Sequence, residues 1–461
     1  MLDKVKQAAQ YNMQTKSEVL DSVNLTQEQL DSHWMPYTAN REFKQNPRMI
    51  VSAEGNYFTD SAGRKVFDSL SGLWTTGAGH SRPEITEAVS KQISNLDYSP
   101  GFQFSHPKSF ELAHRITEFM PDGLNRVLFS TSGSEAVETS LKVARAYWRK
   151  CGQPNKTRFI GRSKGYHGVN WGGISVGGIA ANKAMFGQAL EATHMPHTML
   201  PENKFSKGMP TEGAHLIKEL EEMIGLYDAS NIAAVIVEPM AGSGGVIPPP
   251  VGYLNKLREV CTQHNILLIF DEVITAFGRV GSNTGAEEFG VTPDLMCIAK
   301  QITNGTVPMG ALIAKQEIYD TFMAEGGPEH QVELFHGSTY SAHPVACAAG
   351  LAALNILEDD QLVARSAAMA PYLENKVHEL KGTKYVTDIR NYGLAAGITI
   401  ESSPEGGPAL RPYQIAMKCW EKGYYVRFGG DVISLGLPFT VEKEEIDNVV
   451  NAIGESIREL D

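Results

Sequence analysis

The 461-residue chain is poor in several features that would direct it to particular functions. Its five cysteines, Cys151, Cys261, Cys297, Cys347 and Cys419, are widely spaced and form no C-x-x-C pair. That argues against a disulfide framework and against a zinc or other metal site, and fits the reducing cytoplasm. A catalytic thiol is possible in principle, but small buried hydrophobes are the better reading for all five. The formal net charge is −12 with no dense run of lysine and arginine, so nucleic acid and an anionic membrane are poor partners. No apolar run is long enough to span a bilayer. Asp3, Lys4 and Lys6 lead into polar residues, so no signal peptide is expected, and Asp3, Glu18 and Asp21 speak against a transit peptide. A G-x-x-x-x-G-K-[ST] phosphate loop is missing as well; residues 152–157 and 161–165 come nearest and fail its spacing. No internal repeat or low-complexity tract is visible.

What is present is an ordinary globular composition, 42% hydrophobic and 20% charged, in a length that favours two or three domains. Residues 1 to about 30 are polar and weakly patterned and read as a mobile arm or a surface helix. Strand patterns follow at 49–53 and 57–59, with a turn at 60–63. The middle of the chain alternates short apolar runs, at 127–129, 232–237, 266–270, 295–298 and 311–314, with longer amphipathic stretches. That alternation predicts an α/β domain with a largely parallel sheet covered on both faces. Val137, Leu141, Ala144 and Trp148 fall on one face of a helix. Past about residue 340 the pattern turns to long helices and a few strands, a smaller α+β domain, in which 401–412 should be a loop.

In open α/β sheets, ligands bind at the carboxyl ends of the strands, so the residues after each apolar run carry the chemistry. After 127–129 comes Ser130-Thr131-Ser132-Gly133-Ser134-Glu135-Ala136 and then the helix. Free backbone N–H groups and the helix dipole make such a start an anion site suited to a phosphate, although an ordinary serine N-cap has the same residues. After 266–270 comes Asp271-Glu272. Without a nucleotide phosphate loop this acid needs a cation other than a nucleotide's magnesium, and a protonated pyridine nitrogen is one. After 295–298 comes Ala299-Lys300; a lysine at the end of a buried strand is costly to desolvate, which lowers its pKa and suits it to imine formation. Taken singly it is also a lysine snorkelling to the surface. After 159–161 comes Lys164-Gly165-Tyr166-His167-Gly168, where an aromatic between glycines can stack on a flat ring or pack in a turn.

The order and spacing of these signals go further than any one of them. The chain resembles the class III, or omega, aminotransferases of the fold-type I pyridoxal-phosphate enzymes. The resemblance rests on S-G-S-E-A at 132–136, Y-H-G at 166–168, Glu238-Pro239, G-S-G-G at 242–245, F-D-E-V at 270–273 with F-G-R-x-G at 277–281, and A-K-x-x-x-N-G-x-x-P-M-G-A at 299–311. It extends to His33-Trp34-Met35-Pro36, Gly72-Leu73-Trp74, Thr339-Tyr340-Ser341-Ala342-His343-Pro344 and Val426-Arg427-Phe428-Gly429-Gly430-Asp431, and so covers most of the chain. Within the class it is most similar to the β-alanine:pyruvate aminotransferases.

The resemblance implies a mostly parallel seven-stranded sheet with helices on both faces. It divides the chain into an N-terminal segment, 1–75, that packs with the small domain, a large cofactor domain, 76–342, and a C-terminal small α+β domain, 343–461. It makes Lys300 the residue that carries pyridoxal 5′-phosphate and Asp271 the partner of the pyridine nitrogen. Tyr166 and Val273 are then expected on the two faces of the ring, Gly133 and Ser134 on the phosphate, and Glu238 among the cofactor-binding residues. Thr339 is expected to reach the phosphate of a neighbouring subunit, so that a homodimer or homotetramer shares its sites. Trp74 and Arg427 match positions that line the substrate pocket, where Arg427 would clamp a carboxylate bidentately. Ser434 stands where relatives carry a glutamine, and Thr75 and Thr76 are further positions where the lining can differ.

The function implied is transfer of an amino group from an ω-amino acid or amine, β-alanine foremost, to pyruvate, giving L-alanine and an aldehyde, oxo acid or ketone. Taurine, a diamine or an uncharged aromatic amine are alternative donors. A mutase or decarboxylase on the same fold is a second class, although the stretch after Lys300 lacks the run of glycines associated with aminomutases. A non-catalytic or nucleotide-hydrolysing protein is a third, opposed by the presence of both Lys300 and Asp271.

Overall fold

In the computed structural model, which describes residues 25–324 and 327–460, the apolar runs of the middle of the chain are strands of one sheet. Most of the arm expected at 1–30 lies outside the described residues; its end is a short helix, Gln27–Ser32, capped by the Thr26 hydroxyl. Strands β1 (Ile50–Glu54), β2 (Tyr57–Asp60) and β3 (Lys65–Asp68) form an antiparallel meander, and the 60–63 turn is closed by the Gly63 amide on the Asp60 carbonyl at 2.9 Å.

Strands β4 (Leu124–Ser130), β5 (Arg158–Arg162), β6 (Ala192–Met195), β7 (Ile232–Val237), β8 (Leu267–Asp271), β9 (Leu295–Ala299) and β10 (Gly310–Lys315) form the seven-stranded sheet, in the order β4-β10-β9-β8-β7-β5-β6. All neighbours pair in parallel except β10, which is antiparallel to both β4 and β9. Every residue of β7, β8 and β9 is buried, as a strand covered on both faces requires. The helix Gly133–Lys150 covers one face. Val137, Leu141, Ala144 and Trp148 are all buried on it, and burying each large side chain stabilises the layer by about 1.5–3 kcal/mol. Ser132 caps this helix by accepting from the Glu135 amide at 3.2 Å, while Arg149 sits at its negative end.

Beyond residue 340 come the helices Pro344–Asp359 and Leu362–His378, then strands β11 (Val386–Tyr392), β12 (Ala395–Ile400), β13 (Tyr424–Tyr425), β14 (Arg427–Gly429) and β15 (Val432–Gly436). Four of these form an antiparallel sheet, β11-β12-β15-β14, while β13 pairs in parallel with β3. The beginning and end of the described chain are thus joined in one sheet.

Two expectations need correction. Residues 401–412 are not all loop, because the helix Leu410–Glu421 starts within them. Pro412 is tolerated there, since an amide in the first helical turn has no intrahelical acceptor to lose. Four cysteines are buried but Cys151 is exposed; it is the C-cap of Gly133–Lys150, where the chain leaves the sheet. Among the described residues no helix is long and apolar enough to cross a membrane.

Candidate active site

The parallel strands end together, and their C-terminal residues build one site. Asp271 is the last residue of β8 and is buried; its Oδ2 lies 2.8 Å from His167 Nδ1 and its Oδ1 accepts from the Val273 amide at 3.1 Å. Lys300 follows β9 directly, with a positive φ of 53°, unusual for a residue with a side chain. Just beyond it, Gln301 accepts from the Gly77 amide at 2.7 Å, and Asn304 bridges the Ala78 amide and the Gly79 carbonyl at 3.0 and 2.8 Å. These bonds hold the left-handed turn against the 77–79 segment.

The Lys300 amine has no hydrogen-bond partner among the described residues. Burial pushes its pKa down to about 8, against the opposing pull of Asp271 and Glu238, while Arg427 and Arg279 push the same way as burial. An amine so placed is partly neutral near physiological pH and can act as a nucleophile or base.

Glu238 follows β7. Its carboxylate accepts from the Tyr166 amide at 2.9 Å and the Gly242 amide at 3.0 Å. Burial raises its pKa, with the Asp271 charge acting the same way and His167 opposing. Glu238 therefore fixes the backbone at Tyr166 and at the 242–245 glycines. Gly133 and Ser134 open the helix after β4, and their amides have no hydrogen-bond partner among the described residues. A Cβ on Gly133 would come within 2.9 Å of the Val273 side chain, which brings the start of this helix, Val273 and β9 to one place. Ser134 Oγ accepts from the Val169 amide at 3.1 Å. Gly168, at φ 90°, lies so close that a Cβ there would overlap the Ser134 hydroxyl.

Arg427 opens β14, opposite Ser434 on β15. It is partly buried, forms no ion pair among the described residues, and its charge acts on both Lys300 and Tyr166. Trp74 is 5% exposed, with its ring against the Gly436 backbone, two residues along the strand from Ser434. Thr75 and Thr76 touch Gly305, just past the Lys300 turn. Thr339 stands apart: it is exposed, and its described contact is the Tyr98 hydroxyl on its carbonyl at 3.1 Å.

These residues fit pyridoxal phosphate. Free amides at a helix start suit a phosphate. A buried carboxylate backed by an imidazole suits a protonated ring nitrogen, and the unpartnered lysine amine suits an aldehyde. The role of His167 was not read from the sequence. It stands inside the Y-H-G motif, in the loop after β5, but its partner lies 104 residues away at the end of β8.

The class-III aminotransferase family model matches residues 38–457. The β-alanine–pyruvate aminotransferase of Pseudomonas aeruginosa is 61% identical over 429 residues, covering 93% of this chain and 96% of the relative. The ω-amino acid–pyruvate aminotransferase of Pseudomonas putida is 58% identical, covering 94% and 97%. Among solved structures, a thermostable (S)-enantioselective ω-transaminase from Thermomicrobium roseum superposes with a TM-score of 0.89 at 33% identity, over 95% of this chain and 99% of that one. An amine transaminase from an uncultivated Pseudomonas species, in its PLP-bound form, gives 0.87 at 38% identity, over 93% and 99%.

Proposed function

The chain belongs to the class-III aminotransferases, takes pyridoxal phosphate as cofactor and has the fold-type I architecture, and from that premise we propose that it moves the amino group of β-alanine, or a similar ω-amino acid, to pyruvate. The observation that carries the choice of substrate is Arg427. A partly buried guanidinium with no carboxylate partner among the described residues, acting on the Lys300 amine, suits substrates that themselves bear a carboxylate. Both β-alanine and pyruvate do. The names of the two Pseudomonas relatives point the same way.

When bound, pyridoxal phosphate supplies an aldehyde that takes up an amine and a ring that draws electrons from the bond to be broken. In this reading Lys300 would carry it, and Lys300 Nζ would move the proton from the amine-bearing carbon of the donor. Asp271, whose Oδ2 is held by His167 Nδ1, would face the ring nitrogen. Gly133 and Ser134 hold the phosphate, Tyr166 and Val273 flank the ring, and Glu238 fixes the Tyr166 backbone. Trp74 and Ser434 line the donor pocket beside Arg427.

The same reading divides the chain at 1–75, 76–342 and 343–461 and makes the enzyme a cytoplasmic homodimer or homotetramer. The exposed Thr339 would serve the partner's phosphate, and the exposed rings of Trp34, Phe104 and Phe335 suit a subunit interface.

Arg427→Ala tests the substrate assignment. Loss of a charge-assisted pair costs about 1.5–3 kcal/mol, so kcat/KM for β-alanine and for pyruvate should fall roughly 10- to 100-fold. The half-reaction with uncharged 1-phenylethylamine, followed by the cofactor's absorbance, should be nearly unchanged. Equal slowing of charged and uncharged donors would show that Arg427 holds structure and not substrate.

A further inference from the structure

Arg279 is 1% exposed and sits where three parts of the chain meet. Its Nη1 donates to the Leu394 carbonyl at 3.1 Å and to the Leu437 carbonyl, and its Nη2 donates to Ser71 Oγ at 3.3 Å. The guanidinium lies 5.5 Å from the centre of the Trp74 ring and 4.8 Å from that of Phe439. No carboxylate among the described residues forms an ion pair with it, Asp68 acts on it only from a distance, and its Nε has no hydrogen-bond partner. A buried charge left unpaired is expensive, and an apolar side chain of similar volume would fill the space without that cost. The guanidinium fork must therefore do something that packing does not.

Its neighbours show what that is. The 71–74 turn carries Trp74, and its backbone is not relaxed: Ser71, Gly72 and Trp74 have φ values of 48°, 67° and 65°. Two residues with side chains in the left-handed region persist only where their surroundings hold them. Asp68 holds one side of the turn, accepting from the Leu70 and Gly72 amides at 3.1 and 2.5 Å. On the other side Ser71 Oγ accepts from Arg279 and donates to the Gly436 carbonyl at 2.7 Å. The Trp74 ring lies on that same Gly436 backbone, where a Cβ would overlap it.

We propose that Arg279 is the positioning residue that seats Trp74 in the donor pocket, tying the strained 71–74 turn to the end of β15 through its guanidinium fork. The proposal rests on the reading of Trp74 as a donor-pocket residue. The Arg279 charge also acts on Lys300, so one buried cation serves both the pocket wall and the reactive amine.

The test compares the holoenzyme with Arg279→Lys, which keeps the charge and loses the fork. Hydrogen exchange by mass spectrometry should show the 69–77 amides exchanging at least about tenfold faster, with the seven-stranded sheet unchanged. The KM for β-alanine should rise about tenfold while kcat stays within about threefold. Unchanged exchange at 69–77, or faster exchange throughout the core, overturns the proposal. Should Arg279→Lys fail to fold, Ser71→Ala removes one of the fork's acceptors alone; it should loosen the same segment to a smaller degree, and no local change there would also overturn it. A wild-type enzyme that ignores β-alanine would refute the substrate reading and leave the exchange result as the deciding arm.

Discussion

Lys300, the residue proposed to carry the cofactor, sits in surroundings that act strongly on its amine. Burial pushes its amine down to about 8, well below the range of an ordinary lysine. The group is a base whose folded pKa is depressed, so it is cationic well below pH 8 and neutral above it. In cofactor-free enzyme, labelling of Lys300 by an amine-acylating reagent, read by peptide mass spectrometry, should rise with pH to a midpoint near 8 while surface lysines remain largely unreactive. A midpoint near 10 would mean that the site does not desolvate the amine. At this scale the sequence was informative where function lies in a motif. Lys300, Asp271, Tyr166 and Gly133 could each be named from their places just after an apolar run. Pairing across the fold could not be named: His167 with Asp271, Glu238 with the Tyr166 amide, Arg279 with Ser71. Those pairs depend on strand order, which no local pattern states.

At the scale of elements, strand ends and helix starts do the positioning. The apolar run at 127–129 marked a strand that extends to Leu124–Ser130, and the run at 266–270 marked one displaced by a residue, Leu267–Asp271. The polar residues at their ends were unreadable as strand because pairing, and not hydropathy, includes them. The 401–412 stretch shows the converse: its proline and glycine content suggested loop throughout, yet a helix begins at Leu410, where a proline costs little. Gly168 is where an element-level prediction is sharpest. Its φ of 90° and its contact with Ser134 place the 166–169 turn directly on the start of the helix Gly133–Lys150. Gly168→Ala should push Ser134 away and weaken pyridoxal-phosphate binding by roughly tenfold or more, with a stability loss above about 1 kcal/mol, because φ is positive and the added Cβ also meets the Ser134 backbone. Titration of cofactor absorbance against thermal melting separates the two. Unaltered cofactor affinity would show that the turn does not shape the phosphate site.

At the scale of the molecule, the proposed site draws on regions far apart in the chain. Trp74 comes from the segment before the large sheet and Arg427 from the sheet after it, and β13 joined to β3 links the two regions. Alternation of strand and helix made the α/β architecture legible, while the joining of the termini was not, because it is a contact between residues more than 350 positions apart. The exposed Thr339 leads to a prediction about assembly. If it serves a neighbouring site, active enzyme should be at least a dimer at assay concentration by light scattering, and an active monomer would refute the shared site. The central claim, that Lys300 and its surroundings move an amino group from an ω-amino acid to pyruvate, has a direct measurement. The holoenzyme is incubated with ¹⁵N-labelled β-alanine and pyruvate, and the product is read by mass spectrometry. The account predicts ¹⁵N-alanine from the wild type and none from Lys300→Ala; no labelled alanine from the wild type, or equal labelling from both proteins, would contradict it.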